Sequence, residues 1–70
     1  MLDPQDIENR FTYHPPKADQ PERYDRLRNK GKDLAHMIDE LCPDSRESHL
    51  ALTHLEQSIM WANAAIARHE

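Results

Sequence analysis

Leu41-Cys42-Pro43-Asp44-Ser45-Arg46-Glu47 is the stretch that decides the fold. Pro43 cannot continue a helix, because it lacks an N–H and its ring clashes with the preceding turn. Asp44 or Ser45 can cap a new helix directly afterwards, and Asp44-Ser45-Arg46-Glu47 resembles a capping box. A connection this short forces the two helices it joins to lie antiparallel, as a helical hairpin.

Upstream of that turn, the spacing predicts a helix over about 21–41. Pro21 suits the first helical position, with Asp19 or Gln20 as the cap. Tyr24, Leu27, Gly31, Leu34, Ile38 and Leu41 follow one another in steps of three and four, as in a coiled-coil seam. Gly31 lies on the seam, where the lack of a side chain lets another backbone approach, at about 1 kcal/mol of helix propensity. Downstream, a second helix is predicted over about 45–69, with Leu52, Leu55, Ile59, Ala62 and Ile66 as its seam.

Before the hairpin, residues 1–18 hold Pro4, Pro15 and Pro16 and show no sustained helical period. Pro15-Pro16 drives the preceding residues toward extended geometry. The segment is therefore expected to be an extended N-terminal arm, with the hairpin occupying 19–70. Extended geometry across Arg10-Phe11-Thr12-Tyr13 would put both rings on one side.

Seventy residues make one small domain that buries too little surface to be robust alone. Disulfides, a metal or partner subunits usually make up such a deficit. A single cysteine, Cys42, rules out an internal disulfide and a cysteine-rich zinc module. Partner subunits remain. From Ile59 to Ala67 only Asn63 interrupts a run of apolar residues, and a helix apolar on most sides is buried on most sides. One neighbouring helix cannot cover that. Ile59, Met60, Trp61, Ala64, Ala65 and Ala67 are therefore expected to form an interface between copies. The fold class is all-α: an antiparallel two-helix hairpin with an extended arm, assembled into a homo-oligomeric helical bundle.

Composition narrows the function. One glycine excludes a glycine-rich phosphate loop. No apolar run is long enough for a membrane span, and the acidic start does not read as a signal peptide, so a cytoplasmic protein is expected. A net charge of −4 argues against DNA as a partner. No acid–base pair, metal set or activated nucleophile stands out, so no enzyme and no cofactor are expected. The histidines lack zinc spacing. Cys42, at a helix end, reads as a turn-packing residue.

Between Glu22 and Lys32, five cations (Arg23, Arg26, Arg28, Lys30, Lys32) face two anions, while Asp33, Asp39 and Glu40 come later. Cations near the helix start oppose its dipole, a cost that an anion held there would offset. The same layout also suits an ordinary solvated face with a Glu22–Arg26 pair. The arm adds Arg10, Phe11, Tyr13, His14 and Lys17, a mixture suited to stacking on bases and meeting phosphates. Alternatively, the two rings pin the arm to the hairpin. Arg46 with the free N–H groups of the second helix, and Arg68 in its last turn, are further anion candidates.

Three stretches carry a resemblance: Glu8 to Lys17 (ENRFTYHPPK), Leu41 to Glu47, and Met60 to Arg68 (MWANAAIAR). They resemble the helical-hairpin family of small phage proteins that includes the anti-CBASS and anti-Thoeris cyclic-nucleotide sponges, over nearly the whole chain. The resemblance implies a homo-oligomer, commonly a hexamer, that binds cyclic dinucleotides, cyclic trinucleotides or cyclic ADP-ribose-type signals and does not cleave them. Under it, Phe11 or Tyr13 would stack on a base, and Arg10, Arg26, Arg28 and Lys30 would meet phosphates. The runner-up is a small oligomeric adaptor that docks on a host or phage protein.

Overall fold

Asp3 accepts a hydrogen bond from the Gln5 amide at 2.8 Å, and Pro4 fills the first helical position, where its missing N–H costs nothing. In the computed structural model, which describes residues 3–70, the chain therefore enters a helix at once: α1, Pro4–Phe11. This corrects the expectation of an extended arm. The local signals (an aspartate cap, proline, Asp6 in the first turn, Arg10 in the last) outweigh the downstream prolines. Extended geometry begins only at Thr12, and 13–17 carry no regular structure. Phe11 and Tyr13 therefore belong to different backbone geometries rather than one strand-like face. Residues 1 and 2 of the expected arm lie outside the described residues.

The next two elements are α2, Gln20–Leu41, and α3, Arg46–His69. Asp19 stands at the cap position of α2 without a side-chain capping bond, and Pro21 sits in its first turn. The Cys42 amide closes α2 on the Ile38 carbonyl at 3.0 Å. Cys42 itself is exposed, so it does not pack the turn as expected. The capping box of α3 is one residue later than its sequence resemblance: Ser45 accepts from the Ser48 amide at 3.1 Å, and Ser48 Oγ accepts from the Ser45 amide at 3.0 Å. Serine serves at both positions because its short hydroxyl reaches the facing N–H. Among the described residues there is no strand, and no helix is long and apolar enough to cross a membrane.

Only α2 and α3 pack extensively, and they run antiparallel: Gln20 meets Ile66 and Glu70, while Gly31 meets Ile59. Tyr24, Leu27, Gly31, Ala35 and Ile38 form the covered stripe of α2. Leu34 and Leu41, expected on the seam, are exposed. A straight helix has 3.6 residues per turn, so a 3.5-residue seam drifts round its surface. Ala35 takes the place of Leu34. On α3 the expected seam residues are all half-covered.

No hydrophobic side chain is buried among the described residues. The chain measures 45 × 33 × 13 Å, one layer of helices thick. Its radius of gyration, 15.3 Å, exceeds the roughly 11 Å of a globular domain this long. It exposes 5955 Å², where a compact monomer of the same mass exposes about 4,500 Å².

Polar bonds close the open end of the helix pair. Gln20, only 3% exposed, accepts from the Lys17 amide at 3.1 Å and donates to Glu70 at 3.1 Å and to the Ile66 carbonyl at 3.5 Å. Arg23 donates to both carboxylate oxygens of Glu70, at 2.7 Å for Nη1, and pairs through Nε with Asp19 at 3.3 Å. Lys17 reaches the Glu70 carbonyl through Nζ. The turn entering α2 holds Ala18 at φ 51, a left-handed conformation that costs about 1–3 kcal/mol in a residue with a Cβ. The Gln20 bonds hold that turn in place.

Two outcomes follow for stability. A Cβ at position 31 would lie 2.8 Å from Ile59 Cγ1, so Gly31→Ala should destabilise by about 1–3 kcal/mol despite its better helix propensity. In an Ile59→Ala background the same change should stabilise, by about 1 kcal/mol. Urea denaturation of the four proteins at one concentration measures this, and a destabilisation equal in both backgrounds would refute the contact. The Arg23 hydrogen bonds, followed by that from Gln20, hold the Glu70 carboxyl down to about 2 from 4.5. Between those values the unfolded chain binds the extra proton, so stability should fall as pH drops through this window. Glu70→Gln should flatten that acid limb in a pH series of thermal melts.

Candidate functional site

Residues 23, 26, 27, 30 and 33 recur at steps of three, one, three and three, which places them along one face of α2. There they line an open groove of about 590 Å³: Arg23, Arg26, Leu27, Asn29, Lys30 and Asp33 from α2, with Ile66 from α3. Its floor is apolar and its rim carries three cations and one anion. Arg26 and Lys30, four residues apart and so one turn apart, have no ion-pair partner among the described residues. Arg23 is different, because Glu70 and Asp19 occupy its guanidinium and hold its proton more tightly than usual. Exposed, unpaired cations beside an apolar floor suit a ligand with phosphates and a flat ring.

The remaining candidates are dispersed. Arg28 points to a different groove, of about 370 Å³, lined by Gly31, Lys32, Ala35, Leu52, Leu55, Glu56 and Ile59, and it pairs with Asp25 at 3.1 Å. Arg68 shares a shallow depression of about 190 Å³ with Trp61, Ala64, Ala65 and His69. Arg46 is exposed at the start of α3, at the turn end of the molecule. One of the N–H groups once available to an anion beside it, that of Ser48, is already taken by Ser45. The three grooves include no residue of the segment before α2.

That segment nevertheless presents its aromatics. Phe11 is 82% exposed and Tyr13 78%, so in the single chain neither ring pins the segment to the hairpin. The pin is His14, whose Nε2–H donates to the Asn9 carbonyl at 2.8 Å and folds 12–14 back on α1. Arg10 is exposed in the last turn of α1 and has no ion pair among the described residues. Met60 is 61% exposed and Trp61 67%, large apolar side chains left open to water. Ala65 is exposed, while Ile59, Ala64 and Ala67 are half-covered.

Sequence reasoning missed Gln20, Arg23, Asn29, Asp33 and Glu70. In the sequence Arg23 is one cation among five, although its i−4 partner Asp19 is visible as a local pair. Glu70 and Gln20 gave no local signal, because their bond spans 50 residues. Among the described residues no group of three His, Cys, Asp or Glu side chains could hold a metal.

No curated protein and no solved structure matches the chain. A family model described as the Acb2/Tad1 hairpin domain matches residues 3–67. That span includes α1, all of α2 and α3 as far as Ala67. The chain belongs to the Acb2/Tad1 hairpin-domain family, the anti-CBASS and anti-Thoeris sponges.

Proposed function

We propose that this protein binds cyclic nucleotide second messengers and sequesters them uncleaved, in clefts completed when copies of the chain associate. The observation that carries the reading is the pair of unpaired cations, Arg26 and Lys30, along the apolar groove of α2. Cations left without carboxylates attract phosphate, and such charge-assisted bonds are about twice as strong as neutral ones. Phe11 and Tyr13 supply exposed rings, and stacking of a base on a ring contributes about 1–3 kcal/mol. Phe11 or Tyr13 closes on the base, while Arg10, Arg26 and Lys30 meet the phosphates. Arg68, beside the Trp61 depression, serves a second contact near where copies meet.

Self-association is supported by area. The chain exposes about 1,400 Å² more than a compact monomer of its mass, and a standard interface buries about 800 Å² on each partner. Met60, Trp61 and the adjacent alanines form that interface, in a homo-oligomer that is a hexamer as the family resemblance implies. Sequestration needs no catalytic group, only affinity and copy number. Its place is the cytoplasm of an infected bacterial cell, where the signal is made.

The adaptor reading has one observation in its favour: Leu34, Met37 and Leu41 form a second exposed apolar stripe toward the turn end of α2. A stable complex with a protein partner, and no thermal shift with any cyclic nucleotide, would favour it.

Native mass spectrometry against cyclic di- and trinucleotides and cyclic ADP-ribose isomers reports assembly mass and ligand count together. The expected result is an oligomer that releases intact ligand on denaturation. Arg26→Ala or Phe11→Ala should weaken binding at least tenfold and leave the assembly mass unchanged. Trp61→Glu should lower the mass, and with it the binding. Turnover of the ligand, or full affinity in both pocket variants, would overturn the assignment.

A further inference from the structure

Of the three cations on the groove two are arginines, whose guanidinium forks match two phosphate oxygens at once, and Arg23 is one of them. In this fold the fork is already filled. Both Glu70 oxygens accept from it, and Asp19 stands at Nε. Glu70 is itself held in register by Gln20, whose side-chain nitrogen donates to the same carboxylate at 3.1 Å. A surface pair between flexible side chains would exchange readily with a competing anion. This one is aimed by a side chain that is almost wholly buried.

We infer that Glu70 is a resident counter-ion of the cationic groove, one that withholds Arg23 and leaves Arg26 and Lys30 as its two free charges. The inference rests on the proposed anion-binding role of that groove and deepens it. Two free cations suit a ligand with two phosphates. A third phosphate arriving at position 23 would have to displace the Glu70 carboxylate. Glu70 thus acts as a specificity-determining residue, favouring fewer phosphates, through charge rather than shape.

Glu70→Gln removes the charge and retains an amide oxygen for Gln20. Isothermal titration with cyclic di-AMP, cyclic tri-AMP and inorganic pyrophosphate should show the variant binding pyrophosphate and cyclic tri-AMP at least threefold tighter than the unaltered chain. Its salt dependence should be steeper by about one contact. The double change Glu70→Gln with Arg23→Gln should abolish that gain. Unchanged or weaker binding of pyrophosphate by Glu70→Gln would overturn the inference. A second measurement needs no variant. On titrating the unaltered protein with pyrophosphate, the Arg26 guanidinium NMR signal should move while that of Arg23 stays. Equal movement of both would also overturn it. An unaltered chain that binds pyrophosphate but no cyclic nucleotide would defeat the proposed function alone, and the behaviour of Arg23 would still decide this inference.

Discussion

The backbone of α2 at Gly31 comes so near Ile59 of α3 that a methyl group would not fit between them. This approach brings two long helices into side-by-side contact along a narrow stripe, and the rest of the molecule is a consequence of how little that stripe covers. Two cylinders in contact share one line, and everything round the remainder of each meets water. Hence the molecule is a single layer, and no hydrophobic side chain is buried among the described residues. The hydrophobic term that normally offsets the entropy of ordering a chain is mostly unrealised here. The self-association proposed above would give such a layer a core.

Polar contacts concentrate where the apolar ones are thin. At the open end of the pair, Gln20 and Arg23 from α2 converge on Glu70 from α3, and Lys17 joins them from the preceding segment. One buried amide thereby connects three parts of the chain: the segment before α2, the start of α2 and the end of α3. The arrangement has an electrostatic by-product. It neutralises the first cation of a charged helix face and leaves the next two, Arg26 and Lys30, unopposed. Structure and charge pattern are coupled through Glu70, since the residue that closes the helix pair also determines how many positive charges the groove displays.

The segment before α2 follows different rules. Its helix α1 forms from local signals and, among the described residues, makes only slight contact with the hairpin. Its exposed rings, like Met60 and Trp61, are apolar area held at the surface. In a family of sequestering proteins this is coherent: rings that are not used to fold one chain remain free to meet a base or a neighbouring copy.

The sequence by itself determined α2, α3 and the turn between them. Pro43 with Ser45 marks the turn, periodic apolar positions mark α2 and α3, and the long apolar run from Ile59 marks a surface that one hairpin cannot cover. These are signals between residues a few positions apart, and helices are governed by such neighbours. The cations of α2 are legible in the same way. Two local signals mislead: Pro15-Pro16 suggests an extended arm where the Asp3 cap starts a helix, and a 3.5-residue seam runs through Leu34 where the straight helix uses Ala35. Only the tertiary structure decided which cation is already spoken for, which candidates share a groove, and that His14 rather than the rings secures the segment beside α1. Those facts depend on Glu70 lying beside Gln20 across 50 residues, and on the direction each side chain takes from its helix. A charge pattern along the chain cannot encode either until the two helices are laid against each other.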